Sequence, residues 1–223
     1  MGDMIGVLGG MGPRATVNFI QEVVNKTVAE KDWDHVHMLV DFAINIPSRG
    51  RHIMLDEESP VGGMREACFK LMNAGCTKIF VPCNSAHYFY DEVVESTSIP
   101  WVNMLQLAAD KVKDYNKVLI LGAHTTILKR SYDKYLNNTY YIGDNDPVFK
   151  LIEKIKTGAV CGEEVTEVCN KIVDINADCV LLACTELPII FSGAVFNNAD
   201  VVDAGDLYVK ELIKCGGCDV IRG

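Results

Sequence analysis

The sequence predicts an α/β protein built as two βαβ-type halves of similar plan, each a mainly parallel sheet flanked by helices. Three observations predict it. Short apolar, partly β-branched segments alternate along the chain with segments of helical apolar spacing, the pattern of parallel strands joined by right-handed crossovers. A glycine turn follows the first strand of each half, at Gly9-Gly10 and at Gly122. In each half a later strand ends in a cysteine followed at once by polar residues, Cys83 before Asn84-Ser85 and Cys184 before Thr185-Glu186.

Met4-Ile5-Gly6-Val7-Leu8 reads as the first strand and runs into Gly9-Gly10-Met11-Gly12-Pro13, after which Val17, Ile20 and Val23 keep helical spacing. Pro13 suits the first helical position, and glycines there let backbone N–H groups approach an anion at the helix amino terminus. The spacing is neither GxGxxG nor a Walker loop, so a small carboxylate fits this turn at least as well as a dinucleotide. His37 to Phe42 forms a second strand, ending in the polar loop Asn45-Ile46-Pro47-Ser48-Arg49-Gly50-Arg51. An arginine just past a strand end is either solvated or paired with a carboxylate. A helix through Met64, Ala67, Cys68, Leu71 and Met72 stops at Gly75. Lys78-Ile79-Phe80-Val81 is then a strand of the kind covered on both faces. Cys83 sits at its carboxyl end, where α/β sheets keep their chemistry. Tyr88, Phe89, Val93 and Val94 mark the following helix, closed by Ser98-Ile99-Pro100.

The plan restarts with the strand Val118 to Gly122, the turn Gly122-Ala123-His124-Thr125-Thr126 and a helix with Ile127, Leu128, Tyr132 and Tyr135. Asp146-Pro147 starts a helix carrying Val148, Leu151, Ile152 and Ile155, and a further helix carries Val165, Val168, Cys169, Ile172 and Val173. The strand Cys179 to Ala183 leads to Cys184; Asp200 to Asp203 is the last strand and Leu207 to Ile213 the last helix. The softest boundaries lie near Ser98-Ile99-Pro100 and between Ala199 and Gly205. Residues 1–100 are therefore expected to form the first half, 101–204 the second, and 205–223 to pack back on the first.

At 223 residues and 49% hydrophobic content the chain can bury a substantial core, and a net charge of -9 argues against nucleic acid or an anionic membrane as the main partner. The amino terminus lacks the features of a signal peptide or a myristoylation site, and no apolar stretch is long enough to span a bilayer. An odd number of cysteines, nine, without a secretion signal fits reduced thiols in the cytoplasm. Most of them are expected to be small core residues. Cys215-Gly216-Gly217-Cys218 has the CxxC spacing of a redox or metal pair, but lacks a second ligand pair and reads as a glycine turn.

If the halves are related by a pseudo-twofold axis, Cys83 and Cys184 face each other across a cleft, and two facing thiols have a chemical meaning. Inverting a carbon that bears an acidic hydrogen needs a base on one face and a proton donor on the other. A thiol of ordinary pKa about 8.5 can be tuned to serve as either. A disulfide reaction also uses two cysteines, although it normally wants a CxxC or a flexible partner. His87 and Glu186 stand where they can shuttle protons or tune the two thiols; His87 can equally be a packed core histidine.

Gly9-Gly10-Met11-Gly12-Pro13, Ile46-Pro47-Ser48-Arg49, Pro82-Cys83-Asn84-Ser85-Ala86-His87 and Ala183-Cys184-Thr185-Glu186-Leu187-Pro188, in that order, resemble the aspartate/glutamate racemase family. The resemblance spans nearly the whole chain. It implies two pseudo-symmetric α/β domains with the active site in the cleft between them, no cofactor, no metal, and commonly a homodimer. Carried over by position, Cys83 and Cys184 are the acid and base, while Asn84, Ser85 and Thr185 hold the α-carboxylate or amine. Thr125 and Thr126 contribute from the second glycine turn, Met11 lies beside the site, and Arg49 holds the side-chain carboxylate with a second basic residue near Lys156. Ser85 stands where the family often has Thr, Ala183 where it often has Gly, and Ala123 where a Gly-Thr pair usually opens the second turn. The expectation is a cofactor-independent racemase of aspartate or glutamate. Its rivals are a related isomerase or decarboxylase of a small dicarboxylate, a non-catalytic amino-acid-binding protein, and a thiol-disulfide enzyme.

Overall fold

The computed structural model describes residues 3–142, 146–160, 162–191, 194, 196 and 199–221. They form two compact units, one of residues up to Met104 together with those from Asp206 on, the other Leu105–Gly205. No helix among the described residues is long and apolar enough to cross a membrane.

In the first unit β1 (Ile5–Gly9) lies at the centre of a parallel sheet of order β2-β1-β3, between β2 (Met38–Phe42) and β3 (Lys78–Phe80). All five residues of β1 are buried, as an apolar run without alternation requires of a strand covered on both faces. Register aligns Gly9 with Phe42 and Val7 with Phe80, so the first turn and the Cys83 segment leave the sheet from the same carboxyl edge. Beyond β3, Trp101 adds a parallel bridge to Ile79. α1 (Pro13–Lys26) starts with its proline at the first position, as expected. α3 (Val61–Asn73) closes at Gly75, whose φ of +94° and the bond from Cys76 N–H to Leu71 C=O at 3.1 Å make a left-handed cap. The stretch read as a loop through Arg51 differs: α2 (Arg49–Leu55) begins inside it, with the Ser48 hydroxyl accepting from Arg51 N–H at 3.3 Å. Gly50 hid this helix, because glycine is a poor helix former and the capping serine sits next to a proline. α4 (Tyr90–Val94) and α5 (Met104–Val112) follow the Cys83 segment.

In the second unit β4 (Val118–Gly122), β5 (Thr139–Tyr141), β6 (Cys179–Ala183) and β7 (Asp200–Asp203) pair in parallel in the order β5-β4-β6-β7. The first three positions repeat β2-β1-β3. β5 is absent from the sequence reading; three residues at a sheet edge are too short to show a period. α6 (His124–Leu128) follows β4, and α7 (Asp146–Thr157) packs on β4 and on α8 (Gly162–Ile175). α9 (Pro188–Phe191) follows the Cys184 turn. α10 (Ala204–Cys215) ends the chain's regular structure. The two α/β units with parallel sheets match the predicted class.

Candidate active site

In the first unit the glycine turn is tied together by a residue the sequence reading did not single out. The buried Thr16 hydroxyl accepts from Gly10 N–H at 2.9 Å and donates to Gly12 C=O at 3.0 Å. A Cβ on Gly9 would stand 2.3 Å from Thr16 Cγ2. Gly10 adopts φ +87°, and a Cβ there would lie 2.8 Å from the Ala43 backbone, so both glycines are required by close approach. A threonine four residues after the helix N-cap, free to bond back to its carbonyl, is the signal that would have found Thr16. Met11 is buried in an apolar cluster with Leu8, Ala43 and Ile46, against which Cys83 also packs.

Arg49 is half-buried at the first position of α2. Its Nη1 donates to Pro47 C=O at 3.1 Å, and its Nε is buried without a partner among the described residues. A guanidinium offers five donors, so most of this one's capacity is left for an anion.

The chain leaves β3 through Val81 and Pro82 and bends at once: Cys83 N–H bonds to Val81 C=O at 2.7 Å, and Ala86 N–H to Cys83 C=O at 3.1 Å. A 3-10 turn, Asn84–Phe89, follows. Cys83 is half-buried, Asn84 buried and Ser85 half-buried. His87 Nδ1 lies 2.9 Å from Cys83 C=O, so that nitrogen carries the proton and donates. The ring is packed between Trp101 at 5.1 Å and Tyr208 at 5.9 Å. Burial pushes His87 down to about 4, against weaker raising by the backbone of Cys83 and Val102. His87 is therefore a neutral core histidine that holds the Cys83 turn by its carbonyl.

In the second unit Ala123 caps α6 with φ −60° and ψ 155°, an ordinary extended conformation. Alanine therefore serves there without backbone strain. Gly122 is needed for contact: a Cβ would lie 3.1 Å from Ala183 C=O. Thr125 and Thr126 are buried in the turn after it, and the Thr126 hydroxyl has no partner among the described residues. Cys184 follows β6 and is 8% exposed. Its thiol donates to Glu186 Oε2 at 3.0 Å, and the Thr185 hydroxyl donates to the same oxygen at 3.1 Å. Leu187 N–H bonds to Cys184 C=O at 3.1 Å and closes the turn. Tyr132, read from sequence only as a helix residue, is fully buried, and burial raises its hydroxyl well above the ordinary tyrosine range. Lys156 belongs to α7 by its backbone, and its side chain lies outside the described residues.

The remaining described cysteines are quiet. Burial pushes Cys68 and Cys179 up to about 12, which leaves them unreactive thiols at neutral pH. Cys215 Sγ meets Lys78 Nζ at 3.5 Å while Cys218 Sγ reaches Asp34 C=O at 3.4 Å, so the CxxC thiols serve different neighbours around a glycine turn. Among the described residues no group of three or more His, Cys, Asp or Glu could hold a metal ion.

A family model described as Asp/Glu/Hydantoin racemase matches residues 8–212. The chain is 26% identical over 226 residues to a broad-specificity amino-acid racemase of Bacillus subtilis (strain 168), covering 95% of this chain and 97% of that protein. It is similar to the structure of Picrophilus torridus aspartate racemase at 33% identity with a TM-score of 0.87, covering 99% of this chain and 96% of that one. A glutamate racemase from Francisella tularensis, in complex with D-glutamate, shares the fold at 20% identity and TM-score 0.65, with 96% of this chain and 80% of that one covered.

Proposed function

Since the chain belongs to the Asp/Glu/Hydantoin racemase family and is an amino-acid racemase, we propose that it interconverts L- and D-aspartate without pyridoxal phosphate, by two-base proton transfer between Cys83, Cys184 and the substrate Cα. The observation that carries this reading is a repeated one. In two sheets whose first three positions share one order, a thiol follows the strand paired on the far side of the first strand of its half, β3 beside β1 and β6 beside β4, and opens a hydrogen-bonded turn.

One cysteine, as thiolate, takes the Cα hydrogen as a proton; the electron pair stays on Cα, delocalised toward the α-carboxylate, and the other cysteine's S–H returns a proton to the opposite face. The net change is inversion, with the two thiols exchanging protonation states. Cys184 acts on the L-enantiomer and Cys83 on the D-enantiomer. Glu186, which accepts from the Cys184 thiol, relays its proton and resets it in this reading. Asn84, Ser85 and Thr185, with Thr125 and Thr126, hold the α-carboxylate and amine. Arg49, with Lys156 as its expected second partner, holds the side-chain carboxylate, and Met11 walls the site. Similarity at 33% identity to an aspartate racemase supports aspartate ahead of glutamate.

The test is incubation with L-Asp, D-Asp, L-Glu and D-Glu in D2O with no added cofactor. Aspartate should lose optical activity and gain deuterium at Cα from either enantiomer, fastest of the pairs. No exchange with any of the four would overturn the reading. Arg49→Leu should then weaken kcat/KM for aspartate by about 100-fold and for alanine far less, since it removes a charge-assisted partner of the second carboxylate. Equal losses would deny Arg49 that role.

A further inference from the structure

Next to β3 the backbone ladder is interrupted by a side chain. Ile79 N–H bonds to Pro100 C=O at 2.8 Å and Val102 N–H to Ile79 C=O at 3.0 Å, two rungs of a parallel pairing around the Ile79–Trp101 bridge. The next rung would join Val81 N–H to Val102 C=O. Instead the Tyr208 hydroxyl stands between them, accepting from Val81 N–H at 2.9 Å and donating to Val102 C=O at 2.7 Å. Tyr208 comes from α10 and is fully buried, its ring 4.8 Å from Phe80, 5.9 Å from His87 and 5.8 Å from Phe19.

We propose that Tyr208 is the positioning residue of Cys83: its hydroxyl, inserted into the ladder between Val81 and Val102, holds the strand end apart from its neighbour and sets where Cys83 leaves the sheet. The transmission is short. Val81 gives its N–H to Tyr208 and its C=O to Cys83 N–H at 2.7 Å, so a shift of Val81 is passed to Cys83 across Pro82 alone. His87, against the Tyr208 ring, holds the Cys83 carbonyl from the other side. Burial raises the Tyr208 hydroxyl far above its ordinary value, so it remains a donor to Val102 at every working pH. Without the hydroxyl, Val81 N–H and Val102 C=O are left facing each other, and closing the missing rung draws Val81 and Cys83 toward the Trp101 strand.

This inference rests on Cys83 being one of the two bases, and its test separates the two claims. Enantiomers have an equilibrium constant of one, so any variant lowers kcat/KM equally in both directions; the asymmetry must be read from isotope effects. Tyr208→Phe should lower kcat/KM by about 10- to 100-fold, as a small misplacement of a reacting group does. With α-deuterated D-aspartate the isotope effect on kcat/KM should rise, because proton transfer at Cys83 becomes rate-limiting. With α-deuterated L-aspartate it should fall, because transfer at Cys184 does not. Phe19→Leu, which loosens the same ring cluster and keeps the hydroxyl, should lower the Tm and leave both isotope effects at parental values. If Tyr208→Phe does not fold, 3-fluorotyrosine at position 208 keeps the ring and hydroxyl while altering its hydrogen bonds, and the same asymmetry should appear in smaller form. Isotope effects unmoved in the folded variant, or shifted alike for both enantiomers, would overturn the role of Tyr208. Cys83→Ser racemising like the parent would instead overturn the function on which it rests.

Discussion

Around Cys83 the contacts that fix the turn go to backbone atoms and come from uncharged groups, His87 on its carbonyl and Tyr208 on the Val81 N–H two residues before it. Around Cys184 a charged group touches the sulfur itself, the Glu186 carboxylate, shared with the Thr185 hydroxyl. Both cysteines leave a flanking strand of the same type of sheet. The topology therefore places each thiol, and what surrounds the turn decides how it is held. A buried neutral imidazole fixes a carbonyl and so holds the backbone, whereas a half-exposed carboxylate that accepts from the sulfur touches the thiol itself. The two halves differ in the first turn as well. Thr16 ties Gly10 N–H to Gly12 C=O in a turn where Gly10 has positive φ, while the second turn runs through Ala123 in ordinary extended geometry.

The largest effects should come from the thiols themselves. Cys83→Ser and Cys184→Ser should each lower racemisation by at least about a thousandfold, since a hydroxyl is too weakly acidic to trade roles with a thiol at neutral pH. Circular dichroism should show both folded. Gly10→Ala should destabilise by about 2–4 kcal/mol, because the left-handed φ and a Cβ 2.8 Å from the Ala43 backbone must both be relieved. Ala123→Gly, its counterpart, should cost about 1 kcal/mol or less, through the freedom it adds to the unfolded chain. Urea unfolding of the pair checks the contrast; similar losses would mean the two turns are built alike. Glu186→Gln should reduce kcat/KM by about 10- to 100-fold, the loss of a proton relay. Activity at the parental level would reduce Glu186 to a turn-capping group.

A pH series isolates His87. Its folded pKa, about 4, lies below its ordinary 6.5, so between those values the unfolded chain binds more protons than the folded one. Stability is then complete above pH 6.5 and declines as pH falls toward 4, by about 2 kcal/mol between pH 7 and pH 5 from this group. His87→Gln, which keeps a donor for the Cys83 carbonyl but does not titrate, should lose about that much less over the same interval. An identical decline in parent and variant would place the acid sensitivity elsewhere.

How much of this was legible in the sequence depends on the range of the interaction concerned. The buried strands, Pro13 at a helix start, Gly75 at a helix end and the two strand-end cysteines follow from neighbouring residues, so they could be read directly. α2 was hidden by Gly50, and β5 by its three-residue length. Tyr208 had no local signal at all. It lies 127 positions from Val81, and nothing in the spacing around it distinguishes an inserted hydroxyl from a core tyrosine. His87 and Glu186 looked equivalent as polar residues near a cysteine, and only burial and direction separate the one that meets a carbonyl from the one that meets a sulfur. Thr16 was read past because a threonine among apolar helix positions fits a packing role as well as a bonding one.

The most direct test of the account follows deuterium at Cα in D2O for Cys83→Ser and Cys184→Ser, with each enantiomer of aspartate in turn. If each thiol serves one face, Cys83→Ser should exchange the α-hydrogen of L-Asp without racemising it and leave D-Asp untouched, while Cys184→Ser should do the reverse. Racemisation persisting near the parental rate in both single variants would contradict the account and leave these two cysteines as packed core residues.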